Sequence, residues 1–332
     1  MAETARESPY LSPMTKDFET SWHSCLHQKL ASGQLAVIAE VVPPRGASLD
    51  GVRRAARGLR GWVDAASVTD GQNAEVRLAS WAGCLALIQE GVEPVMQLQC
   101  RDRNRIALQA DLLGAAAMGI PNLLLLTGDD PRVGDEPDAR GVFELDSLQL
   151  VALARRLRDE GLLLSGRRLS RAPRWFIGAA ENPKPSRLER LQRKAEAGAQ
   201  FIQTQIVFDV PAFGRWLAQV RDLGLAERCY VIVSVALVRT QRSLAYLSAL
   251  PGVDVPEAVV RRLGGVPEGR REAEALALCA ETIAQLREIE GVAGINVIAA
   301  GPEGVVPQLL TEAGVAPQGS ATRDSRPSRS GG

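Results

Sequence analysis

The chain has 332 residues, 45% hydrophobic and 23% charged, with a formal net charge of zero. This is ordinary globular composition, and the neutral balance gives no electrostatic reason to bind nucleic acid or an anionic membrane, so small-molecule partners are expected. The five cysteines, Cys25, Cys84, Cys100, Cys229 and Cys279, are widely separated with no C-x-x-C pair, which argues against a disulfide framework or a zinc ribbon.

Residues 1–20 mix turn formers and both charge signs without a period, and 317–332 are poor in apolar groups, so both are expected to be disordered tails flanking one domain over 21–316. The start lacks a basic-then-apolar leader, and no run reaches the roughly eighteen apolar residues of a membrane span, so a soluble cytoplasmic protein is expected. Near the start, His23, Cys25 and His27 stand at i, i+2, i+4. That spacing does not bring all three to one helix face, and no metal is expected. Lysine occurs only at positions 16, 29, 184 and 194, and histidine only at 23 and 27. Schiff-base and imidazole chemistry are thereby disfavoured, and acid–base work falls to carboxylates.

The first strand is predicted over 34–41 (QLAVIAEV), with Glu40 near its end before two prolines that stiffen the loop beyond. The second covers 64–69 and runs into Thr69-Asp70-Gly71; a helix over Leu78–Gln89 follows. The third, 94–100, carries Gln97 and Gln99, and Arg105–Met118 reads as the next helix. The fourth, 122–127, ends in Thr127-Gly128-Asp129-Asp130-Pro131, which taken alone is equally a turn with an Asp cap. After a helix over Leu145–Asp159 comes the fifth strand, 174–180, and a helix over Arg187–Ala199 in which Arg187, Arg190, Arg193 and Lys194 make one face basic. That face is either solvated or an anion site near a helix N-terminus. In the sixth strand, 201–207, period-2 alternation puts Gln203 and Gln205 on one face and Thr204 on the other. Such a pair either bonds its neighbours or meets a heteroaromatic ligand. A helix over Ala212–Leu223 leads to the seventh strand, 229–237. The stretch 242–289 is too long for one crossover and, with Pro251, Gly252, Pro256 and Gly264–Gly265 inside it, reads as two or three helices before the eighth strand, 294–299.

Eight alternations predict a (β/α)8 TIM barrel with an extra helical excursion before the last strand. An open doubly wound sheet is the competing architecture, but a dinucleotide-binding version should carry G-x-G-x-x-G after the first strand, and none is present. Barrel enzymes place their chemistry at the C-terminal strand ends, which singles out Glu40. Its bland alternative is a carboxylate in a structural ion pair.

The motifs IAEVVPPRG, SVTDGQNA, NLLLLTGDDPRVGD and AEAGAQFIQTQIVFD, in that order, resemble those of the methylenetetrahydrofolate reductase family, over roughly 34–300. QLQCRDRN and GVFELDSLQL are similar to the bacterial reductase modules found alone or fused to homocysteine methyltransferases. The resemblance implies FAD as cofactor, NADH or NADPH as electron donor, and reduction of 5,10-methylenetetrahydrofolate to 5-methyltetrahydrofolate, or the reverse, in one-carbon metabolism and methionine biosynthesis. It implies Glu40 as the general acid and Asp129 as the acid that orients folate and tunes the flavin. It further implies Gln205 as a pterin ligand, Thr69, Gln97, Thr127, Gly128 and Asp129 as flavin contacts, and Arg193 with Lys194 beside the cofactor phosphates. A homo-oligomer or an electron-donor subunit is compatible with it. The alternative function is a non-catalytic folate- or flavin-binding subunit of a methyl-transfer assembly, motivated by Leu237 standing where the family commonly has proline.

Overall fold

The apolar runs become strands because their branched side chains can be buried on both faces, as a parallel barrel requires. The computed structural model describes residues 24–250, 252–299 and 304–318. Its strands are β1 (Ala36–Val41), β2 (Ala65–Val68), β3 (Pro94–Gln99), β4 (Asn122–Leu126), β5 (Phe176–Glu181), β6 (Phe201–Ile206), β7 (Tyr230–Ala236) and β8 (Val292–Ile298). They pair in parallel in chain order, and β8 closes onto β1. The fold is the expected (β/α)8 barrel.

Between the strands lie α2 (Asp50–Leu59), α3 (Ser80–Gln89), α4 (Arg105–Ala117), α5 (Ser147–Asp159), α6 (Leu188–Ala197) and α7 (Val210–Asp222), while α1 (Cys25–Ala31) precedes β1 and α11 (Val305–Glu312) follows β8. Starts are set by side-chain caps, as where Asn104 accepts from the amides of Ile106 and Ala107, or where Asp146 and Gln149 form a reciprocal capping box. The excursion before β8 resolves into three helices, α8 (Gln241–Ala249), α9 (Glu257–Gly264) and α10 (Glu268–Arg287).

Two cores follow from the alternation of strand side chains. Outward-facing residues pack against the helices in the larger core. Inward-facing Ala36, Ile38, Ala65, Val95, Leu124, Phe176, Phe201 and Ile232 fill the barrel, and Leu26 and Leu30 of α1 plug its N-terminal end. Full burial of a side chain such as Phe201 stabilises the fold by about 1.5–3 kcal/mol. Phe201 fits because Gly178 faces it across the pair: a Cβ there would lie 2.1 Å from the ring. Glu93 secures the plug by accepting from Ser24 Oγ and the amides of Cys25 and Leu26.

The expected tail over 1–20 lies outside the described residues, as do His23 and 319–332. Gln318 is bonded to the barrel, its amide donating to the Gly61 carbonyl at 2.7 Å and its side chain to Asp64. Among the described residues no helix is long and apolar enough to cross a membrane.

Candidate active site at the barrel mouth

Towards the C-terminal ends of the strands the inward face changes from apolar to polar. Ser67, Gln97, Gln203, Ser234 and Asn296 are all buried there. Some bond one another: Gln97 Nε2 donates to Ser67 Oγ at 3.1 Å, and Asn296 Nδ2 donates to Ser234 Oγ at 3.2 Å. Thr69 Oγ1, Gln203 Oε1 and Asn296 Oδ1 are buried without a hydrogen-bond partner. Leaving such an atom unsatisfied costs about 1–3 kcal/mol, so three beneath one mouth mark a place shaped for something other than stability.

Glu40 stands above this layer. It lines a cavity of about 400 Å³ together with Gln72, Leu237, Ser243, Tyr246 and Ile298, among others. That size lies within the range of small-molecule sites, roughly 300–1,000 Å³. The carboxyl is half-buried by exposure, but what exposure it has is to the cavity, and protein surrounds it on the other sides. Burial pushes its pKa up to about 7, against a smaller opposing effect from hydrogen bonding to Gln97. No ion pair to Glu40 is found among the described residues, so its position is not that of a structural salt bridge.

Asp129 is exposed at the end of β4, and its Oδ2 accepts from the amide of Asn73 at 2.9 Å. Thr127 Oγ1 accepts from the Ser147 amide at 3.2 Å, tying the β4 exit to the start of α5. Gly128 has φ +95°, and a Cβ there would meet Gln99 Oε1 at 2.5 Å, so neither its conformation nor its surroundings admit a side chain. Glu40, Thr69, Gln97 and Asp129 therefore rise from β1, β2, β3 and β4, consecutive staves, with the Asn73 turn bonding the β2 exit to the β4 exit.

Gln205 lies across the mouth on β6, half-buried, its Oε1 accepting from the Ile206 amide. Gln203 and Gln205 share the inward face, and Thr204 turns away, its Oγ1 accepting from the Ser234 amide at 3.0 Å. Arg193 and Lys194 belong to the β5–β6 side and diverge. Arg193 is exposed, whereas the Lys194 ammonium is buried against Glu181 Oε2 at 2.9 Å and the Ala180 carbonyl. Burial lowers the lysine's pKa, with Glu181 opposing. The cationic surface of α6 is thus supplied by its arginines.

Cys100, at the end of β3, is fully buried and its thiol is pushed up to about 12 by burial, which makes it a packing residue. His27 stacks on Phe176 at a centroid separation of 4.4 Å, at the opposite end of the barrel. Among the described residues no group of three His, Cys, Asp or Glu could hold a metal ion. Sequence reasoning missed Tyr246 and gave Asn73 no role. Asn73 lies within the SVTDGQNA motif, but Tyr246 lies in the excursion, away from any strand end.

A sequence-family model described as Methylenetetrahydrofolate reductase matches residues 25–314. The probable methylenetetrahydrofolate reductase (NADPH) of Caenorhabditis elegans is 23% identical over 172 residues, 51% of this chain and 24% of that protein. Methylenetetrahydrofolate reductase 2 of Saccharomyces cerevisiae is 28% identical over 146 residues, 41% of this chain and 22% of that protein. The matched segments thus span under a quarter of either relative. Among solved structures, an uncharacterized protein from Clostridium thermocellum that binds two copies of 5-methyl-5,6,7,8-tetrahydrofolic acid shares the fold, with TM-score 0.59 and 12% identity over 87% of this chain and 98% of that one. An F420-dependent secondary alcohol dehydrogenase shares it at TM-score 0.51 and 11% identity, over 84% and 99%.

Proposed function

The chain belongs to the methylenetetrahydrofolate reductase family, and from that membership we propose that it is an oxidoreductase interconverting 5,10-methylenetetrahydrofolate and 5-methyltetrahydrofolate, with FAD as hydride carrier and NADH or NADPH as donor. The observation that carries this reading is Glu40, a carboxyl with a pKa near 7 on the wall of a ligand-sized cavity at the C-terminal mouth. A barrel of the same fold binds 5-methyltetrahydrofolate, which supports a folate as the ligand.

A carboxyl that ionises near 7 holds its proton over part of the neutral range and can release it, as a general acid must. In this reading Glu40 protonates the departing nitrogen of the imidazolidine ring, opening it to the iminium that accepts hydride. Gln97 holds the carboxyl in place, and the apolar walls supplied by Leu237 and Ile298 limit the water that would compete for the proton. Asp129 orients the pterin, and Gln205, facing inward from β6, hydrogen-bonds it.

The residues present fit a flavin ring. Thr69 Oγ1 is a buried hydroxyl lacking a partner at the mouth, and Gln97, Thr127, Gly128 and Asp129 border the same side. Arg193 would face the cofactor phosphates; Lys194, already paired with Glu181, would act mainly by fixing α6 against β5. When bound, the flavin supplies hydride to the methylene carbon and is reduced again by the nicotinamide.

The test is an absorbance spectrum of the purified protein, followed by anaerobic bleaching with NADH or NADPH and reoxidation by 5,10-methylenetetrahydrofolate. Bleaching and folate-driven recovery are expected. A bound flavin that folate cannot reoxidise, or a colourless and inactive protein, contradicts the proposal.

A further inference from the structure

The excursion after β7 does more than link two strands. Thr240 and Ser243 form a reciprocal capping box that starts α8. From α8, the Tyr246 hydroxyl donates to Asn73 Oδ1 at 2.6 Å, at the exit of β2. Beyond α8, Asn182 Nδ2 donates to the Gly252 carbonyl at 3.2 Å, and Lys184 pairs with Asp254 at 3.0 Å, both at the exit of β5. A segment that leaves β7 and contacts the exits of β2 and β5 must span the mouth.

Asn73 is the point where this strap meets the site. It has φ 57° and ψ 23°, and Ala74 has φ 54°. Two consecutive non-glycine residues in the left-handed region are costly, and such conformations persist only where the surroundings hold them. Here the side chain is held by Tyr246 and the amide by Asp129. Tyr246 also shares the cavity wall with Glu40.

Resting on the reductase reading, we infer that Tyr246 is a positioning residue: through Asn73 it fixes the Asp129 carboxylate at the mouth and couples that carboxylate to the strap formed by α8. The phenol is suited to donate: partial burial raises its pKa, the hydrogen bond with Asn73 opposes this, and the nearby Asp129, Glu75 and Glu40 charges add to the rise, so it keeps its proton at neutral pH.

The test uses the full chain and the variants Tyr246→Phe, Asp129→Asn and their combination. Hydrogen–deuterium exchange of the peptide containing Asn73 is read first, since it needs no turnover. Tyr246→Phe is expected to keep the wild-type melting temperature, to speed exchange at Asn73 by about tenfold, and to raise the KM for 5,10-methylenetetrahydrofolate by a comparable factor. Because the effect runs through Asp129, adding Tyr246→Phe to Asp129→Asn is expected to cost almost nothing further. Unchanged exchange in Tyr246→Phe overturns the inference, and so do additive losses in the double variant. Absence of folate turnover in the wild type would overturn the reductase reading instead, while the exchange measurement still decides whether Tyr246 holds Asn73.

Discussion

Replacing Glu40 by Gln should change how stability depends on pH, in a direction opposite to what loss of a native residue usually brings. In the folded chain burial raises this carboxyl from 4.5 to about 7. Between those two values the folded state holds a proton that the unfolded state has released. The associated stability is fully present below about 4.5, falls as pH rises, and is gone once pH passes about 7. The loss amounts to about 3 kcal/mol, an upper value because water reaching the cavity screens the charge. Glu40→Gln keeps the shape and has no proton to lose at this position, so its stability should decline less over this window. Subtracting the variant's change between pH 5 and pH 8 from the wild type's cancels the other ionising groups. For a domain of this size 1 kcal/mol moves the melting temperature by about 2 °C, so wild type should lose roughly 5 °C more than the variant between the two conditions. Parallel melting profiles for the two proteins would refute the argument that Glu40 is a desolvated carboxyl.

In the proposed reaction the same protonation would set the rate. At saturating donor, folate reduction by wild type should fall about tenfold per pH unit above about 7, the general acid being lost as it ionises, and reduction by the nicotinamide should lack that limb. At the barrel centre, Gly178→Ala drives a methyl into the Phe201 ring, which overpacking places at about 1–3 kcal/mol or more, and calorimetry should show recovery when Phe201→Leu is added. Lys194→Met leaves the buried Glu181 carboxylate with Arg190 at 3.7 Å as its nearest cation and the Asn182 amide as its donor, and leaves the Ala180 carbonyl without the ammonium. Removing one partner of a buried pair costs about 3–5 kcal/mol when the other is left alone, and the remaining Arg190 makes that an upper value; a clear fall in melting temperature is expected, and an unchanged value would show that the Lys194–Glu181 pair does not hold α6 to β5.

The barrel was legible because its signals are local. Runs such as NLLLL and YVIVSVA are too short for a buried helix of usual length and recur between helical segments, as strands buried on both faces do, and the glycine and proline breaks within 242–289 marked where the excursion divides. Boundaries moved by a residue or two where pairing decides: β8 begins at Val292 because it pairs there with Val231, although the sequence pattern starts at Gly294. The position of Glu40 on the mouth also followed from the strand pattern. Its lack of an ionic partner among the described residues did not, since arginines are plentiful and only the fold shows which of them come near it. The basic face of α6 illustrates the opposite difficulty. Spacing alone groups Arg193 with Lys194, yet one helical step turns the lysine under the sheet to Glu181, a partner thirteen residues away on β5. Tyr246 was illegible for a related reason: its bond to Asn73 joins residues 173 apart, and no periodicity in either segment signals the other.

The most direct measurement is the pair of half-reactions of Glu40→Gln under anaerobic conditions. The cofactor should stay bound and be reduced by the nicotinamide at the wild-type rate, while its reoxidation by 5,10-methylenetetrahydrofolate slows by about a hundredfold or more, the contribution of a general acid. Wild-type folate reduction by the variant would remove Glu40 from the chemistry and with it the proposed site.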